Sequence, residues 1–159
     1  MRFGGLVSGA SMVTKGLFAF MDDNVAAFVR RYEAMGLEGT PASPEEVAAL
    51  EQQLGVGFPA AYKAFLFILG RDGGSDFIGS DCTISHLPKL RAWAEDLLRQ
   101  CGSQYILPEK AFVYLMHQGY SFFYFMADQT SEDPAVYAYL EGDYAPVMKA
   151  ESFTAWLSL

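Results

Sequence analysis

His86, His117, Cys82 and Cys101 are the side chains of this sequence best suited to act as general base or nucleophile. Acyl-transfer or thiol chemistry would set one of the histidines beside a cysteine and a carboxylate, but no G-x-S-x-G elbow and no catalytic-cysteine context surrounds them. His86 precedes Leu87-Pro88 and reads as the start of a helix, and His117 stands where a strand meets a turn. Zinc would need a C-x-x-C pair or clustered histidines, and neither exists. Gly70-Arg71-Asp72-Gly73-Gly74 fits neither the phosphate loop nor the dinucleotide fingerprint, and Asp72, Asp76 and Asp81 lack the order of a calcium loop. The expectation is no catalytic set, no cofactor and no metal, with a small hydrolase built on His117 and an acid as the enzyme alternative.

A different kind of site is written in charge. From Ala111 to Met148 there is no lysine or arginine, yet Asp128, Glu132, Asp133, Glu141 and Asp143 fall there among phenylalanines and tyrosines. The formal net charge is -8, and residues 111–159 carry one basic and six acidic side chains. Such a field steers a basic partner, and aromatic side chains supply the contact area that holds it. Tyr120, Tyr137 and Tyr144 are the expected anchors, with the five carboxylates steering. Reversing Glu132 and Asp133 to lysine should slow association with little effect on folding. The same balance excludes nucleic acid and an anionic membrane surface as partners, since both require lysine and arginine. Solvated loops and ordinary core aromatics are the competing, purely structural account of these residues.

The elements that would position these groups divide into helices first and strands after. Asp22, Asp23 and Asn24 can cap a helix bearing Val25, Phe28, Val29, Tyr32 and Met35 before Gly36. Ser43-Pro44-Glu45-Glu46 has the form of a capping box ahead of Val47, Leu50 and Leu54. A third helix follows Gly57-Phe58-Pro59 with Tyr62, Phe65, Leu66 and Leu69 on its apolar stripe. Arg71 to Gly79 reads as loop, with at most a short strand near Phe77-Ile78, and Leu87-Pro88 opens a helix that turns Leu90, Trp93, Ala94, Leu97 and Leu98 inward. Past Pro108, the runs Ala111–Met116, Ser121–Met126 and Ala135–Leu140 are extended, followed by Pro146–Lys149 and a short helix capped by Ser152. Phe122-Phe123-Tyr124-Phe125 puts aromatics on both faces of one strand, which requires helices on both sides or a partner on one. The expected class is α+β, a central antiparallel sheet of about four or more strands with N-terminal and mid-chain helices and a short C-terminal helix.

At 159 residues and 52% hydrophobic, residues 22–159 suffice for one domain. Residues 1–21 read as an apolar leader, disordered or outside the fold; Lys15 interrupts its apolar run and no cleavage site follows Phe20, which argues against secretion. Two cysteines do not make a disulfide scaffold, so both are expected as reduced thiols in the cytoplasm.

Two stretches resemble the SUKH superfamily, whose members include bacterial immunity proteins and fungal regulators of cell-wall assembly. The first is Pro44-Glu45-Glu46-Val47-Ala48-Ala49-Leu50-Glu51, Leu54-Gly55-Val56 and Phe58-Pro59-Ala60-Ala61-Tyr62-Lys63-Ala64-Phe65-Leu66, with Gly73-Gly74 after it. The second is His117-Gln118-Gly119-Tyr120-Ser121-Phe122-Phe123-Tyr124-Phe125, Asp133-Pro134-Ala135-Val136-Tyr137, and Glu151-Ser152-Phe153 with Trp156-Leu157. The resemblance spans Val25 to Leu157; the leader before Met21 has no counterpart in it and Asp76 to His86 is individual to this chain. It implies an α+β binding module without a catalytic constellation. It further implies, for a bacterial member, an immunity protein that blocks a cognate toxin by direct binding, without naming the toxin; the acidic balance makes a basic toxin the expected partner, many such toxins being nucleases, and both monomer and homodimer stay open. A regulatory scaffold of the cell-wall type is the alternative.

Overall fold

The computed structural model describes residues 21–159, so the expected leader lies outside the described residues except for Met21, which packs against the core. Three helices open the fold: α1 (Asp23–Ala34), α2 (Pro44–Leu54) and α3 (Ala60–Leu69). The first two start for a local reason. Asp22 accepts from the Asn24 amide at 2.8 Å. Ser43 and Glu46 make the reciprocal capping box, at 3.1 Å and 2.9 Å, with Pro44 in the first turn. A 3-10 turn (Ser75–Phe77) and a two-residue strand β1 (Ser80–Asp81) lead to α4 (Leu87–Gln100). The chain then builds β2 (Ala111–His117), β3 (Ser121–Met126), β4 (Val136–Leu140), β5 (Val147–Ala150) and α5 (Phe153–Leu157).

The five strands form one antiparallel sheet in chain order, β1-β2-β3-β4-β5. Phe122 stands opposite Tyr139 and Tyr124 opposite Tyr137, while a register shift between Val113 and Leu115 marks a bulge in β2. Alternation gives the sheet two aromatic faces, and helices cover both. On the first, Phe112, Tyr114 and Phe125 ring the fully buried Tyr62 of α3, at 5.6, 5.9 and 5.1 Å between ring centres. Phe153 of α5 closes that cluster at 5.6 Å from Tyr62 and 5.3 Å from Tyr114. On the second face Phe122 stacks on Tyr139, which lies beside Cys101 at the end of α4, and the Tyr124 hydroxyl meets that of Tyr105 at 2.8 Å. The Arg91 guanidinium ties α4 to β2 by donating to the carbonyls of Leu107, Pro108 and Ala111. The α+β class and the antiparallel sheet are as expected from the sequence.

Three local expectations change. The strand sought near Phe77-Ile78 lies at Ser80–Asp81, where it pairs with His117 and Met116, and Phe77 ends a 3-10 turn instead. Trp93 is 37% exposed, because Leu90, Ala94, Leu97 and Leu98 define the buried stripe of α4 and Trp93 falls at its margin. Met35, the last member of the α1 stripe, is exposed at the cap.

Candidate functional site

The residues with chemical potential gather at the β1 edge. Ser80 Oγ lies 2.8 Å from His117 Nδ1 across the β1-β2 pair, a hydroxyl-imidazole contact invisible in sequence because 37 positions separate them. The other ring nitrogen of His117 meets no carboxylate among the described residues, and its ring packs edge-on against Tyr120 at 5.5 Å. His86 Nδ1 lies 2.9 Å from Thr83 Oγ1, with Asp81 3.5 Å from Nε2. Thr83 also accepts the His86 and Leu87 amides through its carbonyl, so this group shapes the entry to α4. Cys82 is buried, and burial pushes its thiol up to about 12, far from the range in which a thiolate forms near neutrality. Cys82 and Cys101 are both free. No group of three metal-ligating side chains occurs among the described residues.

The five carboxylates do not form one patch. The loop between β3 and β4 carries Asp128, Glu132 and Asp133, the turn between β4 and β5 carries Glu141 and Asp143, and β4 itself, about 17 Å long, separates them. The first group is occupied with structure. The Thr130 hydroxyl and amide hold Asp128 below the ordinary carboxylate range, at 2.6 and 3.1 Å. Glu132 caps α3, its Oε1 accepting from the Ala60 amide at 3.2 Å and its carbonyl from Ala61 at 2.9 Å. Asp133 caps α5, Oδ1 accepting from the Thr154 amide at 2.9 Å and Oδ2 from the Thr154 hydroxyl at 2.7 Å. The expectation that lysine at 132 and 133 would leave folding untouched therefore fails, since both helix starts would lose an acceptor.

The second group stands at the free end of the sheet with the exposed aromatics. Glu141 is exposed, and its amide donates to the Tyr120 carbonyl at 2.8 Å, joining the β4-β5 turn to the β2-β3 turn. Asp143 Oδ2 accepts from the Leu140 amide at 3.3 Å. Tyr144 is 87% exposed, and Tyr120 is open enough to touch a partner. Tyr137 does not join them; it stacks on Tyr124 at 5.3 Å on the second face. Beside Tyr144, past the end of α5, no element among the described residues covers the first face of the sheet. A groove of about 670 Å³ opens there, floored by Phe123, Ala138, Leu140 and Val147 and walled by Tyr144 and Pro146, with Asp143 and Lys149 as its charged members. Leu140 and Val147 are 48% and 49% exposed. This groove is what sequence reasoning missed. Its signal was present in the apolar side chains Leu140 and Val147 flanking an acidic turn, but the reach of α5 decides whether they are covered.

No helix among the described residues is long and apolar enough to cross a membrane. The profile of the SMI1 / KNR4 family (SUKH-1) matches residues 41–159. No curated protein sequence matches the chain.

Proposed function

The chain belongs to the SMI1 / KNR4 family (SUKH-1), and from that premise we propose that it is a cytoplasmic, non-enzymatic protein-binding domain, an immunity protein that neutralises a cognate toxin with a basic surface. The observation that carries this reading is the end of the sheet where Tyr120, Tyr144, Glu141 and Asp143 stand together beside an uncovered apolar groove. Exposed aromatics next to carboxylates that form no ion pair among the described residues suit a partner that offers apolar surface ringed by lysine and arginine. A basic nuclease is such a partner, because its own groove is built to attract phosphates. Binding there would block the toxin by cover, with no bond made or broken.

The test is a pull-down from the native host with the tagged full chain at low and moderate salt, followed by expression of each captured protein alone. A salt-sensitive basic protein that kills cells, and whose toxicity the chain suppresses, is the expected result. Capture of a non-toxic envelope or signalling component in its place would refute the immunity role and favour a regulatory scaffold.

A further inference from the structure

We propose that the outer edge of β5, together with the groove beside it, receives an extended segment of the partner, one apolar side chain filling the groove and a neighbouring arginine or lysine meeting Asp143 and Glu141. This rests on the protein-binding reading above and adds where the partner lands and in what form.

β5 is the last strand of the sheet among the described residues, and the backbone groups that point away from β4 pair with no strand among them. An extended segment can satisfy them and continue the sheet. Val147 and Met148, successive residues on opposite faces, are 49% and 53% exposed, leaving contact surface on either side of an added strand. Natural edges are guarded by lysines, prolines and bulges. Here Pro146 precedes the strand, Lys149 lies within it and a register shift falls between Val136 and Tyr137, which discourages indiscriminate pairing. The groove lies on the first face directly beside this edge, since Val147 and Lys149 line it, and it is open along the sheet surface as a side-chain receptor would be. A small molecule would find little enclosure there.

Charge selects the occupant. Glu141, Asp143 and Glu151 against Lys149 leave the edge with a formal charge of -2 (three carboxylates, one lysine). A second copy pairing through its own β5 would set -2 against -2, which costs association, whereas an arginine- or lysine-bearing strand removes the imbalance.

The test is an NMR titration of the isotope-labelled full chain with a short peptide alternating valine and arginine, and with its valine–glutamate counterpart, alongside light scattering of the free protein. The expected result is that the arginine peptide alone moves the amide signals of residues 140–150, that about 0.5 M salt reverses the effect, and that the free protein is a monomer. The double variant Glu141→Lys with Asp143→Asn keeps an acceptor for the Leu140 amide and should weaken the peptide about tenfold. Equal shifts with both peptides, shifts confined to other elements, no shifts at all, or a dimer broken by Val147→Lys would each overturn the proposal. A toxin captured from the host that protects a different surface would overturn this placement while leaving the immunity reading intact. A non-toxic protein that protects residues 140–150 would support the placement and refute that reading.

Discussion

Asp133 is the residue whose role the structure changes most, and its substitution can be worked through. Thr154 is 1% exposed, and both of its donors, the amide and the hydroxyl, end on the Asp133 carboxylate at 2.9 and 2.7 Å. Asp133→Ala leaves both donors without an acceptor at the start of the helix that carries Phe153 into the aromatic core. Hydrogen bonds to a charged group contribute about 1.5–3 kcal/mol each, and two sharing one carboxylate fall short of their sum, so the expected loss is about 3 kcal/mol. For a domain of this size that corresponds to a fall of about 9 °C in Tm, or a urea midpoint lower by about 1.5 M at a slope of about 2 kcal/mol per M. Asp133→Asn keeps one oxygen for the amide and lets the Thr154 hydroxyl turn to accept from the new NH2, so it should cost less than about 1 kcal/mol. Thermal and urea unfolding of both variants, followed by circular dichroism, decide the matter. An alanine variant as stable as the parent, or an asparagine variant as damaged as alanine, would refute the capping account. Partner affinity of the folded asparagine variant then isolates the charge, and on the present reading it stays within about twofold of the parent because the docking end lies at the far end of β4.

Alkylation at neutral pH should modify Cys101 in the native protein and reach Cys82 only on unfolding, as read by mass spectrometry of digested peptides; rapid native labelling of Cys82 would contradict its burial. Glu46 is held below its ordinary pKa, first by its hydrogen bond from Arg71 and then by the Ser43 amide. A depressed folded pKa means that the unfolded chain binds the proton more readily, so this stabilisation is present above about 4.5, the unfolded value, and is lost as the pH falls through the folded one. The stability gap between the parent and Glu46→Gln, which retains the capping-box acceptor, should therefore close as urea melts are repeated from pH 7 down to about pH 3. Tyr62 and Tyr114 bury hydroxyls that have no hydrogen-bond partner among the described residues, and burial pushes both phenols well above their ordinary pKa. Tyr62→Phe or Tyr114→Phe should accordingly leave Tm unchanged or raise it, by as much as about 1 kcal/mol of stability; a clear loss would mean that a buried water or other partner serves the hydroxyl.

Much of the architecture could be read from local chemistry. Ser43, Pro44 and Glu46 announce a helix start within four residues, and Phe122 to Phe125 announce a strand with two covered faces, because capping and alternation are encoded by near neighbours. What stayed hidden depends on contacts between distant positions. β1 is two residues long and carries no pattern of its own; only its pairing with Met116 and His117 makes it a strand. Glu132 and Asp133 looked like free charges because the amides they cap belong to Ala60 and Thr154, 72 and 21 positions away. The acidic run looked like one cluster because nearness in sequence hid the length of β4. The uncovered groove depends on where α5 stops, which tertiary packing decides.

The agreement between chain order and sheet order has a kinetic consequence. From β2 to β5 each strand can pair with the one synthesised just before it, so these four strands need no long loop to close and their hairpins can form early, whereas β1 joins β2 only across the α4 segment. Phe153, which plugs the aromatic cluster on the first face, comes after every strand. A chain in which Phe153 is not docked would leave Phe112, Tyr114 and Phe125 incompletely covered, an exposed aromatic face that favours aggregation. Weakening the Asp133 cap on the helix that carries Phe153 should therefore lower the yield of soluble protein as well as the stability of the finished one.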